Sequence, residues 1–282
     1  MKSYETLLVD VDEGGVATVT LNRPEAMNAF NLEMTAEFDD AIWSLERDES
    51  VRVIVLTGAG KAFSTGIDLA AGGDTFGAAA HEEHNVEVGA SDSQITDRYA
   101  FWTMRTPMIA AINGIAIGAG LTLTFLADIR VMADDARLRL PFVRLNVIPD
   151  ANSTWLLPRL VGLSRGLELL MTGRWFTGQE AADIGLASRA VPAADVLGVA
   201  LEIAREIAVN AGPVALGVTK QLVYKNLMET DRVAAFTEET RLTWWAGSQP
   251  DTMEGVTALM SKRPPQWSQS KHLPLPEDLP DM

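Results

Sequence analysis

The chain has no cysteine among its 282 residues, which excludes a disulfide framework, a thiol nucleophile and a thiolate metal site. Positive charge is also scarce. Lys and Arg number 23 against 38 Asp and Glu, for a formal net charge of -15. A basic surface of the size that nucleic acid or an anionic membrane requires is therefore not available, and neither is an expected partner. No apolar run reaches the ~18 residues of a membrane span. The opening M-K-S-Y-E-T-L-L-V-D-V-D lacks the apolar core of a signal peptide, so the cytoplasm is the expected compartment. Histidine is nearly absent, at three residues. His81 and His84 stand beside Glu82 and Glu83 without a third ligand in view, so they read as exposed side chains and no metal site is assigned.

The remainder is ordinary for a soluble globular protein, with 47% hydrophobic and 22% charged residues. The length allows one large domain or one domain with an appended subdomain. Thr6 to Val11 and Val16 to Leu21 flank Glu13-Gly14-Gly15 and predict a hairpin. From Leu32 to Arg47 apolar residues recur at helical spacing, and Val51 to Leu56 is a near-continuous apolar run suited to a central strand. Strand, helix and strand in that order imply a right-handed crossover and a largely parallel sheet. Gly72 to Ser93 is a long, weakly periodic loop expected to shape a binding pocket. Beyond Asp150 the pattern is mostly helical, with long amphipathic helices from Ala194 and an extended proline-rich tail.

Thr106 to Asp150 is the organising stretch. Met108 to Ile112 predicts a strand covered on both faces, stopped by Asn113-Gly114. Gly118-Ala119-Gly120 then leads into a helical turn, where first-turn amides are left open to an approaching anion. A second small residue, Gly66, precedes Ile67-Asp68-Leu69-Ala70 in the same way. Two such backbone donors, one after each of two parallel strands, could converge on a single oxygen. The glycines at 58 and 60 do not make a dinucleotide fingerprint, because Phe63 fills the third glycine's place. Asp150 admits two readings, an acid/base in an apolar pocket or an N-cap for the helix starting near Asn152.

The chain resembles the enoyl-CoA hydratase/isomerase (crotonase) superfamily, from L-N-R-P at Leu21 to S-K-R at Ser261. The segments that carry the resemblance are L-T-G-A-G-K-A-F-S-T-G-I-D-L, P-M-I-A-A-I-N-G-I-A-I-G-A-G, L-A-D-I-R-V, L-P-R-L-V-G-L-S-R and L-L-M-T-G. The resemblance implies an α/β fold, a crotonase-like spiral of ββα units over residues 1–193 that binds CoA and holds the active site. It also implies a helical oligomerisation region over 194–282 and a homotrimer or hexamer. An acyl-CoA thioester is the implied substrate, with no separate cofactor. Its oxygen would sit between the backbone N–H groups of Ile67 and Ala119, where fixed donors stabilise an enolate-like state. Arg23, Ala62 and Lys262 fall at positions that contact CoA in the family.

Departures from the family pattern narrow the chemistry. Hydratases of the superfamily carry two glutamates where this chain has Thr122 and Phe142, and neither side chain can act as a carboxylate. The Thr122 hydroxyl could hold a water or bond the helix backbone. Asp150 compensates: P-D-A-N-S-T-W-L-L-P-R matches the segment that carries the base in double-bond isomerases of the family. One carboxylate suffices for a 1,3-proton shift, and Phe142, Trp155 and Trp102 are the expected apolar walls of the acyl pocket. The expectation is an enoyl-CoA isomerase using Asp150. The alternatives are a hydratase or hydrolase that uses Asp150 with water, and a non-catalytic acyl-CoA-binding relative.

Overall fold

The structure is a computed structural model that describes residues 2–70, 75 and 100–276. It opens with β1 (Leu7–Val11) and β2 (Val16–Leu21), an antiparallel hairpin pairing Leu7 with Leu21. The expected helix is α1 (Leu32–Arg47), started by the Asn31 side chain accepting the Met34 amide. Its Met34, Phe38, Ala41, Ile42 and Leu45 are buried, the stripe that the 3.6-residue period required.

From there the chain alternates between two sheets. β3 (Val53–Gly58) precedes β4 (Ala62–Ser64), and β5 (Met108–Ile112) precedes β6 (Ile115–Ile117). The short turn α2 (Ala119–Thr122) follows, then β7 (Ile129–Ala133) and β8 (Arg137–Arg139). In each pair the first strand joins a six-stranded sheet and the second joins a four-stranded one. Next come α3 (Ser153–Val161), α4 (Leu163–Thr172), β9 (Trp175–Thr177), α5 (Gly178–Asp183) and β10 (Arg189–Val191). The strand orders are β1-β2-β3-β5-β7-β10 and β4-β6-β8-β9. Pairings from β2 to β10 in the larger sheet are parallel, as are β4 to β6 and β6 to β8. This is the spiral of strand-strand-helix turns that the family resemblance implied. β3 and β5 are buried at every residue, which explains their continuous apolar sequences.

The chain ends in α6 (Val196–Asn210), α7 (Pro213–Asn226), α8 (Arg232–Gly247) and α9 (Pro250–Met260). α6 lies across β2, β3, β5 and β7, and its Val196, Ala200, Ala204 and Ala208 belong to the main core. The core thus runs past the expected division at 193/194. Val214, Val218 and Leu242 form a second, smaller cluster with half-buried Leu222, Trp245, Leu273 and Leu275. Residues 263–276 are irregular, and several of their polar groups are pinned to the body: Trp267 donates its indole N–H to the Val209 carbonyl, and Lys271 is buried.

Among the described residues, no helix is long and apolar enough to cross a membrane. No cluster of three metal-ligating side chains occurs among them either. The expected loop Gly72–Ser93, with His81 and His84, lies outside the described residues apart from Thr75.

Candidate active site

Parallel pairing of β4 with β6 brings the chain exits of both strands side by side. Beyond β4, the Ser64 hydroxyl accepts the Gly66 amide at 3.1 Å and donates to the Asn28 carbonyl at 2.7 Å. Phe30 then pairs with Ile67: its amide donates to the Gly66 carbonyl and its carbonyl accepts the Asp68 amide. Alternation along an extended chain therefore turns the Ile67 amide to the opposite side, away from Phe30. Ser64 was not singled out from the sequence. The signal was there in Ser-Thr-Gly, because a serine hydroxyl commonly bonds a backbone amide two residues on.

The second exit is built on Gly118, with φ 53° and ψ −126°, a conformation that only glycine adopts readily. Its amide donates to the Arg139 carbonyl of β8, and its carbonyl accepts the amides of Leu121 and Thr122. Ala119 is the first helical residue, so its N–H has no acceptor within the turn. A Cβ on Gly66 would lie 2.7 Å from the Ile117 carbonyl oxygen and 3.0 Å from the Ala119 nitrogen. Gly66 thus sits directly against the backbone of the Gly118–Ala119 turn, which puts the chain leading into Ile67 beside the one leading into Ala119.

Asp150 reaches the same turn. Its Oδ1 accepts the Thr122 hydroxyl at 2.5 Å, across 28 residues of sequence. Ala151 and Asn152 take the left-handed conformation, at φ 46° and 57°, and turn the chain sharply between Asp150 and α3. Asn152, not Asp150, is the N-cap residue of α3, and no side chain caps that helix end. Asp150 contributes only its carbonyl there, accepting the Ser153 amide. The N-cap reading of its carboxylate is thereby replaced by the contact with Thr122. Burial raises the Asp150 pKa above the ordinary carboxylate value, and the Thr122 hydrogen bond and the residue's own amide oppose that rise.

The other sequence candidates divide. Phe142 is buried, with its ring tip 3.9 Å from where a Gly118 Cβ would stand, so it walls the same turn. Trp155 is half-buried one turn into α3, with the Arg159 guanidinium 3.9 Å above its ring. Trp102 packs against the core in the short turn Phe101–Thr103. Arg23 donates to the Ala29 carbonyl and pairs with Asp68 at 3.3 Å. Ala62 is buried in β4, its carbonyl taken by the Asn28 side chain. Lys262 is exposed in a left-handed conformation just past α9, whose Gly255 stands against the Trp267 ring.

Fold and site together define a spiral α/β protein in which two glycine turns meet beside the Asp150 carboxylate, an arrangement suited to stabilising an oxyanion while a proton moves. The chain belongs to the enoyl-CoA hydratase/isomerase family, whose sequence profile matches residues 12–270. It is 35% identical over 277 residues to the enoyl-CoA hydratase ACTT3 of Alternaria alternata, covering 96% of this chain and 89% of the relative. The 1,2-epoxyphenylacetyl-CoA isomerase of Escherichia coli (strain K12) is 36% identical over 258 residues, covering 91% of this chain and 96% of that protein. Among solved structures, a probable enoyl-CoA hydratase/isomerase from Mycobacterium abscessus superposes with a TM-score of 0.84 at 39% identity, covering 93% of this chain and 98% of the other.

Proposed function

We propose that the protein isomerises the double bond of an enoyl-CoA, with Asp150 as its acid/base. The thioester oxygen lies between the Ile67 and Ala119 amides. Asp150 takes a proton from the α carbon of a 3-enoyl-CoA, the oxygen gathers the charge of the dienolate, and the same carboxyl returns the proton to the γ carbon. A 2-enoyl-CoA results, with no water and no cofactor consumed. The observation that carries this reading is the hydrogen bond from Thr122 to Asp150. It sets a partly buried carboxylate beside the donor turn, while the two positions that hold glutamates in hydratases hold Thr122 and Phe142. One relative, covered over 96% of its length, is an isomerase of a CoA thioester, acting on 1,2-epoxyphenylacetyl-CoA. A raised carboxyl pKa brings the group closer to the range useful for proton transfer near neutrality.

The hydratase names of other relatives favour a second reading, water addition with Asp150 as the acid/base. One assay separates the two. Purified protein is given a 3-enoyl-CoA and, separately, its 2-enoyl isomer, and products are resolved by mass. Interconversion without mass change supports isomerisation. A mass gain of one water shifts the assignment to hydration, and CoA binding without turnover shifts it to a non-catalytic role.

Arg23, Ala62 and Lys262 belong to the proposed CoA path. The proposed assembly is a homotrimer or a pair of trimers, acting in the cytoplasm. α8 supports association, since it buries only Leu242 while Val233, Phe236 and Trp244 are 70%, 69% and 76% exposed. Sedimentation at several concentrations tests this, and a monomer throughout would refute it.

A further inference from the structure

We infer that Thr122 is the positioning residue of the Asp150 carboxylate: its hydroxyl, on the same helical turn as the Ala119 amide, occupies one carboxylate oxygen and leaves the other free for proton transfer. This inference rests on the isomerase reading above, because it assigns a role to a neighbour of the proposed base.

A hydroxyl has one proton to give. The Ala119 carbonyl is 3.4 Å from Thr122 Oγ1 and Asp150 Oδ1 is 2.5 Å away, so the proton goes to the carboxylate. Thr122 has no exposed surface, its amide donates to the Gly118 carbonyl at 2.9 Å, and its branched Cβ restricts rotation about χ1. Ala119 and Thr122 are the first and last residues of one helical turn. The oxyanion donor and the support of the base are thus parts of one rigid piece, and Oδ2 is the oxygen left to face the substrate carbons. Beyond geometry, a donor to the ionised carboxyl opposes the effect of burial. At Asp150 burial is the larger influence, and the Thr122 hydrogen bond is the foremost one opposing it.

The test uses the full-length protein and a 3-enoyl-CoA substrate, with kcat and KM followed from acid to neutral pH. Thr122→Val keeps shape and removes the donor. It should lower kcat about 10- to 100-fold, leave KM within about twofold, and move the acidic limb of the profile to higher pH. Thr122→Ser should return the limb to its original position with most of kcat. Thr122→Ala replaces the valine variant if circular dichroism shows that the latter is misfolded. An unchanged limb in the variants lacking the hydroxyl, or a serine variant as impaired as the valine one, overturns the inference. Asp150→Asn separates the two levels. If it stays active, the base assignment and this inference both fall. If it is inactive while Thr122→Val behaves as wild type, only the positioning role falls.

Discussion

The Lys220 ammonium lies 3.0 Å from Asp128 Oδ2, joining the C-terminal helix α7 to the start of β7 in a nearly water-free position, with side-chain exposures of 5% and 17%. Lys220 also donates to the Thr106 carbonyl, and Asp128 Oδ2 also accepts the Met108 amide at 2.7 Å. One ion pair thus ties α7 to the entries of both β5 and β7. Removing a single partner strands the other charge in the interior, and such losses cost about 3 kcal/mol or more. Lys220→Met is expected to lower stability by roughly 3 kcal/mol in urea unfolding. Adding Asp128→Asn should recover part of that loss. A single variant as stable as wild type would show that the pair contributes nothing net.

Asp150 predicts opposite signs for activity and stability. Asp150→Asn should lower isomerase turnover by about 10²- to 10⁴-fold, the usual contribution of a positioned acid/base. The fold raises the Asp150 pKa above its ordinary value of 3.8, so the folded chain favours the protonated carboxyl. Stability is therefore lost as pH rises from 3.8 through the higher folded pKa, and above that the whole penalty applies. The asparagine variant should melt at a higher temperature than wild type at neutral pH, with the gap closing as pH falls below that window. Scanning calorimetry at neutral and at acid pH reads this, and a neutral-pH gain of zero would contradict it. Wild-type turnover should fall on acidification through the same raised pKa.

How much of this was legible in the sequence depends on the length of the signal. α1 runs Leu32–Arg47, as its periodicity demanded, and β5 runs Met108–Ile112, as its unbroken apolar run demanded, because each signal extends over enough residues to be read. The three-residue strands β4, β6, β8 and β9 were not readable. Three residues show no alternation, and these strands exist because the spiral presents each with a neighbour. Glycine at 66 and 118 did mark the donor turns, since positive φ leaves a trace in composition. The Thr122–Asp150 bond left no such trace, because nothing local links partners 28 residues apart. For the same reason the tail read as extended, although its polar groups find partners on the body.

The donor turn makes a backbone prediction. A methyl group on Gly118 would meet only the Phe142 ring tip, at 3.9 Å, an ordinary contact. Any effect of Gly118→Ala therefore comes from the conformation, φ 53° and ψ −126°, rather than from a clash. Forcing a residue with a Cβ into such a region costs about 1–3 kcal/mol, and the turn relaxes to avoid it. The Ala119 amide then shifts off the thioester oxygen. Turnover should fall about 10²- to 10³-fold, the range for losing one oxyanion donor. Steady-state kinetics at saturating thioester would detect this, and unchanged kcat would remove the Ala119 amide from the mechanism.

Lys271 supports the last prediction. Its buried ammonium lies 3.3, 2.8 and 3.0 Å from the carbonyls of Leu45, Asp48 and Val51, and 2.8 Å from the Thr106 hydroxyl. The first two carbonyls belong to the C-terminal end of α1, where each also accepts a backbone amide and the helix dipole favours a cation. Arg105 bonds the tail from the other side, donating to the carbonyls of Lys271 and Leu273. Methionine at 271 would keep the apolar stem but remove the charged donor these oxygens share, a loss of about 2 kcal/mol. Arginine should not rescue it, since a planar fork does not fit a site made for a compact ammonium. In limited proteolysis, Lys271→Met should therefore be cut within residues 263–276 under conditions where wild type resists. Equal resistance would mean that Arg105 and Trp267 hold the tail without the lysine.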